Sequence, residues 1–161
     1  SMRGVDLAED TANIDELFNQ TDSLTIAIGD GGNEIGMGQL PRKLLIQHVK
    51  NAEKIACQTK VKHLIGAAVS NWGAYALGTL TWAAKLSMES QDASRQRLTL
   101  SAKNEYQRQK RMLSCGMIDG VSKLAETSVD GLAWAVQLEF IDAVVNLSEA
   151  FFNDLSSSGS L

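Results

Sequence analysis

The sequence holds one proline, two cysteines and two histidines, and only 6% of its 161 residues are aromatic. Cys57 and Cys115 stand far apart with no C-x-x-C pair. That excludes a disulfide scaffold and the common zinc and dithiol spacings, and points to a reducing compartment with free, mostly buried thiols. His48 and His63 lack metal-ligand spacing, so both read as surface or satisfied side chains. Basic residues are the minority: 15 Lys and Arg against 19 Asp and Glu leave a net charge of −4, with a pI near 5.1. Nucleic acid and anionic membranes are therefore poor candidate partners. The basic run Arg95, Arg97, Lys103, Arg108, Lys110 and Arg111, with Glu105 as its one acid, reads as a solvated face. Long apolar runs are scarce too. Leu64 to Ala84 is charge-free and, at about 20 residues, long enough to span a bilayer. Ser70-Asn71-Trp72-Gly73 breaks it, so it reads as a strand feeding a buried helix and not as a membrane span.

What is present is an ordinary globular composition, 44% hydrophobic and 21% charged. The length favours one core, expected as a single α/β domain over 1–155 with a disordered tail at 156–161. No basic, apolar leader follows Ser1-Met2, so no signal peptide is expected. A short helix is expected over 11–20, capped by Thr11, with Ile14, Leu17 and Phe18 on one face. Apolar runs at 24–28, 54–57 and 64–69 read as strands. Pro41 opens a helix, since proline is tolerated at the first helical position. Asn71 caps another from about Trp72 to Ser87. A polar helix over 92–115 carries a thin stripe of Leu98, Ala102, Tyr106 and Leu113. The segment 116–132 has two Asp-Gly pairs and reads as irregular or as a short hairpin. From Trp134 to Asn153 polar residues recur at Glu139, Asp142, Asn146, Glu149 and Asn153, opposite Trp134, Leu138, Ile141, Val145 and Phe152. Strands alternating with helices imply an α/β layered fold whose mostly parallel sheet has few strands.

Five of the ten residues at 29–38, GDGGNEIGMG, are glycine, with Asp30, Asn33 and Glu34 between them. A strand, a glycine-rich turn and a helix aim backbone N–H groups at an anion, at the strand end where open α/β sheets bind ligands. Dinucleotide and P-loop fingerprints fail, because Glu34 stands where G-x-G-x-x-G needs glycine and Met37 where the P-loop needs lysine. Asp30, Asn33 and Glu34 are hard oxygen donors of the kind Mg²⁺ or Mn²⁺ prefers. The loop resembles the acidic G-D-G-x-N-D loop of haloacid-dehalogenase-type phosphatases. That family's upstream D-x-D-x-T strand has no counterpart among Asp6, Asp10, Asp15 and Asp22.

A wider resemblance covers residues 2 to about 132. MRGVDL (2–7), IDELF (14–18), AIGDGGNEIGMG (27–38), VSNWGAYAL (69–77), IDGVS (118–122) and TSVDGL (127–132), in this order, resemble the C-terminal part of the catalytic domain of the D-glutamate cyclase family. GVSKLAET (120–127) departs from the more glycine-rich, basic version associated with that family. The resemblance implies a lyase that converts D-glutamate to 5-oxo-D-proline and water, acting on a small carboxylate and needing neither nucleic acid nor membrane. It also implies that MRGVDL lies inside the family domain. The expected compartment is the cytoplasm of a bacterium or the mitochondrial matrix of a eukaryote, and a homo-oligomer is compatible with the sequence. Asp30 and Glu34 are the candidate acid–base pair, or the pair that would hold Mg²⁺ or Mn²⁺. The N–H groups around Gly31, Gly32 and Asn33, with Asn71, are candidates for a substrate carboxylate. Asp119 and Asp130 are candidates for the substrate amine or a metal. Competing classes are a metal-dependent phosphatase-like hydrolase and a domain that binds a small carboxylate without turnover. Bland readings stand beside these: the loop as a connector, Asn71 as a cap, Trp72 and Tyr75 as core, and both Asp-Gly pairs as turns.

Overall fold

The computed structural model describes residues 6, 9, 11–88 and 100–158. Of the motifs above, MRGVDL apart from Asp6, and the start of the 92–115 helix, lie outside these residues. The architecture is α/β, as expected, and the chain divides into two compact units, residues 1–73 and 74–161. No helix among the described residues is long and apolar enough to cross a membrane.

The first unit is built on a parallel pair, β1 (Ile26–Gly29) and β2 (His63–Gly66), in register from Ile26 opposite His63 to Gly29 opposite Gly66. Both strands therefore end at the same level, and the Ala67 N–H donates to the Gly29 carbonyl at 3.0 Å beyond the last pair. Before them comes α1 (Asp15–Gln20). It starts at Ile14 without any side-chain cap, so Thr11 is not its cap, and Ile14 and Leu17 are exposed. Asp15 instead accepts a 2.8 Å bond from the Thr59 hydroxyl.

After the glycine loop and a 3-10 turn at Met37–Gln39, Pro41 precedes α2 (Arg42–His48). The run at 54–57, expected as a strand, instead divides: Lys54 and Ile55 end a short helix, α3 (Ala52–Ile55), and Ala56 and Cys57 follow it. Asn51 turns the chain at φ 62°, and Ala52 and Ala56, four apart, both bury into the core. That spacing is a helical period, which a short apolar run does not reveal. Met37, Leu45, Ala52 and Ala56 form this unit's core, with Leu40, Val49, Cys57 and Leu64 packed on it.

The helix α4 (Ser70–Met88) begins two residues before the expected Trp72. Its first turn belongs to the first unit and the rest to the second. The second unit adds α5 (Ala102–Ser114), β3 (Ser128–Val129), β4 (Leu132–Ala133) and α6 (Trp134–Ser158). The Ser101 hydroxyl caps α5 by accepting from the Asn104 N–H at 3.2 Å. On α5, Glu105 and Gln109 are buried beside the half-buried Ala102, Tyr106 and Leu113. Lys103, Arg108, Lys110 and Arg111 are exposed, as a solvated face requires.

The hairpin expected in 116–132 is β3–β4, closed by Asp130-Gly131 at φ 52° and 74°. Two consecutive positive φ values match the right-handed twist of the strands, and Asp-Gly is the pair that tolerates them. On α6, Glu139, Asp142, Asn146 and Glu149 are exposed and Ile141 is fully buried, as expected. The buried line, however, runs Gln137, Ile141, Val144 and Ser148. Ser148 tolerates burial because its hydroxyl donates to the Val145 carbonyl at 2.7 Å. The helix continues through Ser158, three residues past the expected end of the domain. Leu100, Ile141 and Val144 form this unit's core, and Tyr75 and Trp134 pack on it. Tyr75 is thus a core aromatic. Both cysteines are free, Cys57 half-buried and Cys115 exposed rather than buried.

Candidate functional site

The glycine loop leaves β1 at Gly29, and α4 leaves the end of β2 close by. A backbone N–H at a helix start has no partner inside the helix. The Asp30 carboxylate supplies one: Oδ2 accepts from the Ser70 N–H at 2.5 Å. Asn71, expected as the cap, lies inside the first turn instead and is exposed. This bond ties the loop that carries Asp30 and Asn33, both exposed, to the turn that carries Asn71.

Glu34 folds back on its own loop. Its Oε1 accepts from the Gly31 N–H at 2.9 Å, so that N–H serves the carboxylate rather than an incoming anion. Its Oε2 is buried with no hydrogen-bond partner, close against Gly29. Gly32 is buried, and its carbonyl accepts from the Cys57 N–H at 2.9 Å. Much of the glycine content has a packing cause. Gly36, at φ 99°, has room for no side chain, since an added Cβ would lie 2.6 Å from the Ala27 Cβ. At Gly38 an added Cβ would run into the Gln58 carbonyl. The loop is a tightly seated connector that displays one acid, Asp30, and one amide, Asn33, while Glu34 is folded back into it.

Among the described residues no group of three or more Asp, Glu, His or Cys side chains is arranged to hold a metal ion. Among the described residues Asp30 and Glu34 have no third such ligand beside them, and one oxygen of each is bonded to backbone.

Asp119 and Asp130 belong to the second unit. Asp119 is 4% exposed and fully engaged. Its Oδ1 accepts from the Val121 N–H at 2.7 Å and the Ser122 N–H at 2.9 Å; its Oδ2 accepts from the Ser128 hydroxyl at 2.6 Å and the Gly131 N–H at 3.0 Å. Burial alone would raise its pKa. The bonds from Ser128, Gly131, Ser122 and Val121 overcome that and hold the carboxyl well below the usual carboxylate range. The carboxylate is the hub that folds 119–131 onto itself. Asp130 sits exposed in the hairpin turn.

Three contributors are absent from the expected set: the Ser70 N–H, the Ser128 hydroxyl, and Thr59. The Thr59 carbonyl accepts from the Gly36 N–H at 3.1 Å while its hydroxyl holds Asp15. Only Ser70 had a local signal, its place at a strand-to-helix junction.

The human protein named D-glutamate cyclase, mitochondrial, is 38% identical over 68 residues, a stretch covering 40% of this chain and 11% of that protein. The family described as D-glutamate cyclase-like, C-terminal, matches residues 1–145. With nearly the whole chain inside that match, the protein belongs to the D-glutamate cyclase-like family.

Proposed function

We propose that this chain carries catalytic residues of a lyase that closes D-glutamate to 5-oxo-D-proline with loss of water. The observation behind the reading is the 2.5 Å bond from Ser70 N–H to Asp30, which joins GDGGNEIGMG to SNWGAYAL. In the reaction the substrate nitrogen bonds to the γ-carboxyl carbon, one C–O bond breaks, and the departing oxygen leaves as water. The ammonium gives up two protons and the leaving oxygen takes up two. Ring closure is intramolecular, so the protein's work is to fold the substrate, move protons and stabilise charge.

Asp30 is the proton carrier in this reading. It is exposed, and its Ser70 bond fixes one oxygen and leaves Oδ1 to face solvent or substrate. Glu34 holds the loop through Gly31, with its second oxygen, Oε2, buried and unbonded within the loop. The side chains of Asn33 and Asn71 are exposed amides able to donate to a substrate carboxylate. Asp119 shapes its own loop in the second unit and is assigned no contact with substrate. No step is routed through a metal.

Incubation with D-glutamate and chromatographic detection of 5-oxoproline tests the reading. Asp30→Asn and Glu34→Gln should each lower turnover by about 10²-fold or more while the far-UV spectrum stays unchanged. Full activity in both variants, or a melting shift with D-glutamate and no product from the unaltered chain, overturns it.

A further inference from the structure

The first unit contains a groove of about 530 Å³, within the range of roughly 300–1,000 Å³ typical of small-molecule sites. One wall is the turn from Gly38 to Arg42, and the other is the segment from Cys57 to Lys60. They meet where Gly38, lacking a side chain, packs on the Gln58 backbone. Leu45 contributes a buried apolar surface. Asp30, Asn33, Glu34 and Asn71 do not line it.

Its charge runs against that of the chain. In a protein of net charge −4, the groove is lined by two cations, Arg42 and Lys60, and by no Asp or Glu among the described residues. Arg42 is oriented by a 3.0 Å bond from Nη2 to the Glu53 carbonyl, which leaves its other N–H groups as donors. A guanidinium held this way suits a carboxylate, which it can meet with two parallel bonds. Gln58 adds an amide, while Leu40, Pro41 and Leu45 offer apolar surface that a bare inorganic anion would leave uncovered.

We propose that this groove binds a small organic anion, with its carboxylate at Arg42 and Lys60 and its carbon chain against Pro41 and Leu45. The inference does not rest on the cyclase reading: a chain inactive on D-glutamate can still bind here, and an active one can fail to.

The two cysteines provide the test, since Cys57 lines the groove and Cys115 does not. Alkylation by neutral iodoacetamide is followed at each thiol by peptide mass spectrometry, with glutarate, inorganic phosphate or chloride at matched ionic strength. Roughly 10 mM glutarate should slow Cys57 about threefold, as expected for a dissociation constant of a few millimolar, and leave Cys115 unchanged. Phosphate should protect less. Arg42→Gln and Lys60→Gln, both at exposed positions, should each remove at least half of the protection. The proposal is overturned if glutarate fails to protect Cys57, slows both thiols alike, protects no better than phosphate, or protects both variants as it does the unaltered chain.

Discussion

Replacing Asp119 by Asn keeps the shape of the side chain and removes the charge on which four donors converge. One oxygen survives as an acceptor; the other position becomes an NH₂ facing donors. If the amide oxygen stays toward Val121 and Ser122, the Ser128 hydroxyl can rotate to accept, and the Gly131 N–H, which spans both oxygens at 3.2 Å and 3.0 Å, loses the shorter of its two bonds to an NH₂ group. A stranded buried donor costs roughly 1–3 kcal/mol, and bonds to a charged acceptor exceed neutral ones by about 1 kcal/mol. Val121 and Gly131 are exposed residues, so water reaches part of this cluster and the low end applies. The expected loss is about 2 kcal/mol at pH 7, and about 4 kcal/mol for Asp119→Ala, which strands all four donors.

The pH dependence follows from the lowered pKa. A carboxyl whose folded pKa lies below its ordinary value of 3.8 contributes stability that is complete well above that value. The contribution is lost as pH falls from there toward the folded pKa. The gap between the unaltered protein and Asp119→Asn should be flat from pH 8 to 5 and smaller by about 1 kcal/mol at pH 3. Urea titrations at each pH measure the gap, and hydrogen exchange at the Val121, Ser122 and Gly131 amides shows whether the loss is local. A gap at pH 3 equal to that at pH 7, or unchanged exchange at those amides, refutes the hub role.

Ile141→Ala, at a fully buried position of α6, should cost about 2–5 kcal/mol by urea denaturation. A loss under 1 kcal/mol would mean that this face of α6 is not core. Gly38→Ala should lower the melting temperature because its Cβ meets the Gln58 carbonyl, whereas Gly78→Ala, inside α4 with open space around it, should gain up to about 1 kcal/mol. The opposite order would contradict the packing account of the glycine loop. Asp130→Val forces a β-branched residue to φ 52° and should cost about 1–2 kcal/mol, and Asp130→Asn, which tolerates that φ, should cost less. In a chain that turns over D-glutamate, a raised KM in Asp130→Asn would show that its charge meets the substrate, and an unchanged KM would confine it to the turn.

The parts of the fold legible in the sequence are those governed by local rules. Pro41 marks the start of α2, the Asp130-Gly131 pair marks a hairpin, and the recurring polar positions of α6 mark its solvent face. The short run at 54–57 misled because four apolar-biased residues fit either period, and the turn at Asn51 decided for helix. In the site, the family motifs and the acids of the loop were visible, but their partners were not. Asp30 reaches Ser70, forty residues away in sequence, and Asp119 gathers donors from Val121 and Ser122, from β3 and from the hairpin turn.

By itself, the sequence determined the α/β class, the family and the residues able to do acid–base work, because periodicity, turn chemistry and side-chain type are carried by neighbouring residues. Tertiary structure decided what those residues bond to. It set Asp30 on the first turn of α4 and turned Glu34 back on Gly31. It also closed Gly38 against Gln58 to form a cationic groove. The Asp30–Ser70 bond depends on two parallel strands ending at one level, and the Gly38–Gln58 contact on packing across twenty residues of sequence; no local pattern encodes either.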